Sequence, residues 1–213
     1  MQWEQNRENA PGSLRVDVYA GGAAPREGLE DVVFYQVPYS PSTQGVDEAT
    51  DIIARMPKLQ VLQLVSAGYE QVLPLLPDGV TLCNGRGLHD ASTAEHVLGL
   101  VLTAQRDLAR WAIDQRERRW AAVPQRSLAD SKVLIVGYGS IGRAVEQRLL
   151  PFETTVVRLA GRARPDEDVH GAEALHSLLP EADIVVLVTP LTERTRGLFG
   201  APEFALLRDD ALV

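Results

Sequence analysis

Residues 132–142 read KVLIVGYGSIG, an apolar run (Lys132–Val136) that feeds directly into Gly137-Tyr138-Gly139-Ser140-Ile141-Gly142. No other feature constrains the fold as much. A buried strand that turns at once into a helix places a different demand on each of the three glycines. Gly137 permits the tight turn, Gly139 lets backbone approach a bound pyrophosphate, and Gly142 allows the helix to pack closely on the strand. Ile141, Ala144, Val145 and Leu149 then follow at helical spacing. At the helix start the N–H groups of Ser140 and Ile141 lack intrahelical partners, and they favour the negative charge of a pyrophosphate. Strand, turn and helix together predict the opening of a Rossmann dinucleotide-binding unit.

Short apolar runs alternate with helix-like segments along the rest of the chain, the pattern of parallel sheets with crossover helices. Strands are expected over residues 14–19, 32–37, 61–65 and 80–83, with a helix over 51–56 cut off by Pro57. A long helix follows. Asp90 or Ser92 is its expected N-cap, and Glu95 stands three residues after Ser92, the spacing of a capping box. Its later part, residues 110–119, is charged and bracketed by Trp111 and Trp120. That pattern suits a partner-subunit surface and a helix lying over its own domain equally well. Beyond Pro124, strands are expected at 132–136, 154–159 and 184–188, short helices at 172–179 and 204–207, and another strand opening at 211–213.

The expected fold class is therefore α/β, with two Rossmann-like or flavodoxin-like parallel-sheet domains, the second incomplete at its C-terminus. The division runs 1–12 as a disordered lead-in, 13–91 as a substrate domain, 92–124 as an interdomain helix, and 125–213 as the nucleotide domain. A net charge of −8 argues against a nucleic-acid binder or a protein held on an anionic membrane, since both need a clustered basic face. Cys83 is the only cysteine, which excludes an internal disulfide or a thiolate metal cluster. No run approaches the ~20 apolar residues of a membrane helix, and residues 1–12 lack the apolar core of a secretory signal. A cytoplasmic protein is expected.

The residues after the second strand of the nucleotide unit bear on which dinucleotide binds. An NAD site usually places Asp or Glu about 20 residues past the first glycine, on the ribose hydroxyls. That position falls near Ala160, and no carboxylate stands there. Arg158, Arg162 and Arg164 cluster instead, and a guanidinium pairs well with a 2′-phosphate. NADP is expected ahead of NAD, with Arg162 the best single candidate.

Several segments together resemble the D-isomer-specific 2-hydroxyacid dehydrogenases, from about Leu14 to the last residue. Residues 65–70 (VSAGYE) are similar to the family's substrate-carboxylate loop, which implies backbone N–H donors at Ala67 and Gly68. Residues 84–96 (NGRGLHDASTAEH) resemble the hinge and the start of the interdomain helix. Residues 187–198 (LVTPLTERTRGL) are similar to the stretch lining the nicotinamide, which implies cofactor contacts at Thr189, Pro190 and Thr195. Gly161-Arg162 sits where NADP-preferring members place an arginine. The family transfers hydride between a nicotinamide and a 2-oxo or 2-hydroxy acid; glyoxylate or hydroxypyruvate is the expected substrate and a homodimer the expected assembly.

In the family an Arg fixes and polarises the substrate, while a His tuned by a Glu is the acid/base. The resemblance places all three beyond Val213, so no catalytic residue is expected in residues 1–213 and the complete enzyme is expected to be longer. His89, His96, His170 and His176 read as structural or surface histidines rather than replacements. Arg86 reads as a cap or ion-pair residue and Glu193 as solvated. The competing reading is a catalytically silent nucleotide-sensing or corepressor-like protein. A Rossmann-like methyltransferase is disfavoured by Ala160 and Arg162, because it wants a carboxylate there.

Overall fold

The computed structural model describes residues 15–17, 27–38 and 51–213. These divide into two units: the described residues up to 65 together with 71–83, and residues 66–70 together with 84–213. Of the strand expected over 14–19, only residues 15–17 are described, and they carry no strand pairing. The expected lead-in, 1–12, lies outside the described residues. Among the described residues no helix is long and apolar enough to cross a membrane.

In the first unit β1 (Phe34–Gln36), β2 (Val61–Gln63) and β3 (Thr81–Cys83) form a parallel sheet in that order. Tyr35, Leu62 and Leu82 stand in register across it. Residues 51–54 are helical. The helix buries Ile52 and Ile53, which join Met56, Leu59, Leu62, Leu64 and Val72 in one core.

The second unit is built on β4 (Lys132–Val136). The sheet order is β6 (Val169–His170), β5 (Thr155–Leu159), β4, β7 (Ile184–Leu187), all parallel. Side chains alternate across a strand with a period of two, and β4 shows the consequence. Val133 and Ile135 enter a core with Ala94, Leu98 and Val101 of α1 (Asp90–Gln105) and Val145 and Leu149 of α3 (Ser140–Leu149). Leu134 and Val136 enter the opposite core with Leu175, Leu179 and Ala182. A continuous apolar run on a central strand is therefore covered on both faces. Leu212 bridges to Ile184 in parallel, on the far side of β7 from β4.

Two expectations about the long helix are corrected. Its N-cap is His89, with no side-chain cap bond, so the Ser92–Glu95 capping box does not form. Asp90 and Ser92 both lie inside the first turn, where the Ser92 hydroxyl donates back to the His89 carbonyl at 3.2 Å. The helix is also not continuous. Asp107 takes left-handed angles (φ 52°) and caps a separate α2 (Leu108–Arg116). Trp111 is exposed and Trp120 stands 94% exposed, so Trp120 does not lie over its own unit. The 172–179 segment holds only one turn of α-helix, α4 (Leu175–Leu178), and β6 is a strand that the apolar pattern did not show, since Val169–His170 is too short for any periodicity.

Candidate functional site

The three glycines of the turn do three different things. Gly137 has φ +105°, and a Cβ there would lie 2.6 Å from the Val188 carbonyl oxygen and 2.8 Å from the Thr189 nitrogen. A Cβ on Gly142 would press on the Gly137 oxygen at 3.0 Å and on Ile135 at 3.2 Å, where α3 crosses β4. Gly139 differs: its nearest neighbour would be 4.0 Å away. Protein atoms demand glycine at 137 and crowd any side chain at 142, whereas at 139 the space is open for a ligand to approach the backbone. The residues present thus fit a dinucleotide.

The ends of three strands meet at this turn. The Leu159 carbonyl, at the end of β5, accepts from both Gly137 N–H and Tyr138 N–H at 2.9 Å. Val188 N–H, just past β7, donates to the Val136 carbonyl at 2.9 Å. Ser140, Ile141 and Gly142 begin α3, so their N–H groups have no intrahelical acceptor. The Ser140 hydroxyl lies 3.2 Å from an Asp90 carboxylate oxygen. That contact ties the first turns of α1 and α3 together. It was not legible in the sequence because the two residues are fifty positions apart.

The arginines do not behave alike, and the reading of Arg158, Arg162 and Arg164 as one phosphate cluster is corrected. Arg158 donates to the Glu146 carboxylate through Nε (2.8 Å) and Nη2 (2.6 Å). Glu146 is only 6% exposed, so this guanidinium is consumed in neutralising a buried charge. Arg164 donates to the Tyr138 carbonyl at 2.8 Å and to Glu167. Arg143, which the sequence did not single out, also pairs with Glu167. Arg162 is exposed and has no ion pair or hydrogen bond among the described residues. A Cβ on neighbouring Gly161 would meet nothing within 4 Å.

Tyr138 is the hub of this cluster. Its hydroxyl donates to Glu146, and Arg143, Arg158 and Arg164 lie 5.0, 5.6 and 5.9 Å from its ring centre. Burial, followed by the bond to Glu146, holds its phenol above the ordinary 10.0. A raised acid keeps its proton in the folded state after the unfolded chain has lost it. The resulting stability is complete below pH 10.0 and drains away as pH rises through the folded value. In an alkaline titration followed by phenolate absorbance, one of the five tyrosines is expected to ionise late, and Tyr138→Phe to remove that late step.

Ala67 and Gly68 lie in a loop tied to the chain entering α1. The Asn84 side-chain amide donates to the Ala67 carbonyl at 2.8 Å, Gly85 N–H to the Ser66 carbonyl at 2.7 Å, and the Ser66 hydroxyl to the Gly68 carbonyl at 3.0 Å. These bonds use carbonyls and leave the Ala67 and Gly68 N–H groups without an acceptor among the described residues. Thr189 follows Val188 beside Gly137. The Thr195 hydroxyl is already engaged: it donates to the Pro190 carbonyl and accepts from Thr192 N–H at 2.8 Å, closing the 190–195 loop. Its observed role is to shape that loop.

All four histidines are exposed. His176 pairs with Glu203 at 2.9 Å. Arg86 is exposed and makes no ion pair among the described residues, contrary to the ion-pair reading. Among the described residues Glu193 is paired only with Arg196, at 3.6 Å. A cavity of about 390 Å³ opens between residues 172–176 and 194–203, and its lining includes no residue of the glycine turn.

Residues 98–213 match the family described as D-isomer specific 2-hydroxyacid dehydrogenase, NAD binding domain. The chain belongs to the D-isomer specific 2-hydroxyacid dehydrogenase family. The glycine turn and its sheet are therefore this family's NAD-binding domain, in an α/β fold of parallel sheets. Among curated relatives, glyoxylate/hydroxypyruvate reductase B of Escherichia fergusonii is 32% identical over 182 residues, covering 80% of this chain and 56% of its own length. A D-isomer specific 2-hydroxyacid dehydrogenase from Xanthobacter autotrophicus Py2, solved with NADPH and MES, superposes with TM-score 0.77 at 30% identity, covering 99% of this chain and 66% of that one. An NADPH-dependent glyoxylate/hydroxypyruvate reductase from Sinorhizobium meliloti, solved with NADP and sulfate, gives 0.78 at 27% identity, covering 96% and 63%. The chain spans little more than half the length of the curated relatives it matches.

Proposed function

We propose that this dehydrogenase-family chain serves the NADPH-dependent reduction of a small 2-oxo acid, with glyoxylate or hydroxypyruvate as substrate. The observation that carries the cofactor choice is Arg162, an exposed residue with no ion pair or hydrogen bond among the described residues, set just past β5 where Ala160 replaces the ribose-binding carboxylate. A bound nicotinamide dinucleotide supplies the hydride. The chain's own residues bind and orient. In this reading the Ser140, Ile141 and Gly142 N–H groups take the pyrophosphate, with Gly137 and Gly139 setting the approach. Arg162, beside Gly161, takes the 2′-phosphate, and Thr189, Pro190 and Thr195 shape the nicotinamide wall. Ala67 and Gly68 present N–H groups to the substrate carboxylate. The relatives named for glyoxylate and hydroxypyruvate reduction, and the neighbours solved with NADPH or NADP, support the same choice. Leu108 and Trp111, both exposed and one turn apart on α2, offer an apolar surface suited to a second copy of the chain.

Titrating the chain with NADPH and NADH tests the reading. NADPH should bind more tightly, and Arg162→Ala should weaken NADPH by about tenfold or more, as expected for a lost charged hydrogen bond, with little effect on NADH. Equal affinities in the native chain would remove the argument. A catalytically silent nucleotide sensor is the second reading, favoured by the exposure of all four histidines. Turnover of glyoxylate with NADPH by this chain would exclude it.

A further inference from the structure

We propose that Glu167 is a built-in competitor for the 2′-phosphate: its carboxylate holds Arg143 and Arg164 in the free protein, and a bound 2′-phosphate takes both guanidiniums over. The inference rests on the reading of the turn as an NADPH site. Arg143 Nη2 and Arg164 Nε both donate to the same oxygen, Glu167 Oε2, the latter at 3.2 Å. Arg164 also grips the Tyr138 carbonyl at 2.8 Å, so its guanidinium sits on the glycine turn itself. The Arg143 guanidinium lies over the ring of the same tyrosine. Two cations thus flank the turn, and one carboxylate serves both. Its pKa is lowered from the ordinary value, first by the hydrogen bond from Arg143.

The carboxylate is presented by a stiff frame. Glu167 N–H donates to the Arg164 carbonyl at 3.0 Å and Asp168 N–H to the Pro165 carbonyl at 3.0 Å, with Asp168 at φ 55°. Reciprocal bonds between Arg164 and Val169, at 2.8 and 3.1 Å, close the turn. Arg158 Nη1 donates to the Glu167 carbonyl at 2.9 Å, and Arg158 is itself locked onto Glu146. The buried pair beneath Tyr138 therefore fixes the backbone that carries Glu167.

The exchange follows from charge and access. Glu167 remains 42% exposed, so water and an incoming anion reach it. A phosphate carries close to twice the charge of a carboxylate and three acceptor oxygens, and guanidinium pairs with it bidentately. Released Glu167 returns to solvent. NADH has no 2′-phosphate and leaves the carboxylate in place. Glu167 would then lower NADPH affinity while balancing one of the two cationic charges in the empty site.

The test titrates the 213-residue chain with NADPH and NADH, comparing the native protein with Glu167→Gln and Glu167→Ala. Both variants are expected to bind NADPH about two- to fivefold more tightly, the scale of an exposed ion pair that no longer has to be broken. NADH should move far less. Unchanged or weaker NADPH binding in both variants overturns the proposal and makes Glu167 a strut for the arginines. The result is separable from the cofactor reading. A native preference for NADPH with no gain in the variants refutes only the competitor. Equal native affinities with an NADPH-specific gain uphold the competitor and refute only the native preference.

Discussion

Gly137→Ala should abolish measurable NADPH binding and destabilise the chain by about 2–4 kcal/mol, the scale of a strained backbone position compounded by a steric clash. The added methyl would sit 2.6 Å from the Val188 oxygen, 2.7 Å from its carbonyl carbon and 2.8 Å from Thr189 N. All three are backbone atoms, and Val188 is held by its bond to the Val136 carbonyl, so the neighbour cannot swing aside as a side chain could. The φ of +105° adds a penalty that any L side chain incurs. Gly139→Ala is the informative contrast. Its φ is −101° and its added methyl would meet nothing closer than 4.0 Å. Stability should change by less than about 0.5 kcal/mol, as for other unstrained surface changes, while NADPH binding falls. Denaturant unfolding and nucleotide titration of the two variants separate strand packing from ligand approach. Equal stability losses would show that the Val188 contact is not what demands glycine at 137.

The second large effect is expected at Arg158. Arg158→Ala leaves the Glu146 carboxylate, 6% exposed, with the Tyr138 hydroxyl as its remaining partner. Breaking a buried pair by removing one side is strongly destabilising, and here the loss should be about 2–4 kcal/mol. The lower part of that range reflects Arg158, whose side chain is 29% exposed and partly hydrated already. Replacing both residues, Glu146→Leu with Arg158→Leu, should recover most of the stability, because an apolar pair carries no desolvation penalty. Chemical denaturation of the single and double variants gives the coupling directly. A double variant no more stable than Arg158→Ala would mean that the pair's geometry, rather than its charge balance, supports the turn.

The glycine turn, its flanking strand and the alternation of strands and helices were legible because each rests on local rules. Three glycines at set spacing permit one kind of strand-to-helix turn, and an apolar run as short as Val133–Val136 with helix patterns on either side reads as a buried parallel strand. What was missed depends on partners distant in the sequence. Ser92 and Glu95 carry capping-box spacing, yet the helix begins earlier at Asp90, whose carboxylate meets Ser140 fifty residues on. The break at Asp107 follows from one left-handed residue in an otherwise helical pattern. β6 is two residues long and shows itself only by pairing with β5.

The arginines mark the boundary between the two kinds of information. The sequence alone determined that the end of β5 and the residues after it carry guanidiniums and no ribose-binding carboxylate, since that is a matter of spacing from Gly137. Only the tertiary structure decided how those guanidiniums are used. Glu146 on α3 takes Arg158, Glu167 gathers Arg143 with Arg164, and Arg162 has no partner among the described residues. The physical reason is that a charge is assigned by whichever opposite charge folding brings within about 3 Å of it. Local spacing sets where the backbone turns, whereas ion pairing depends on which helix crosses which strand.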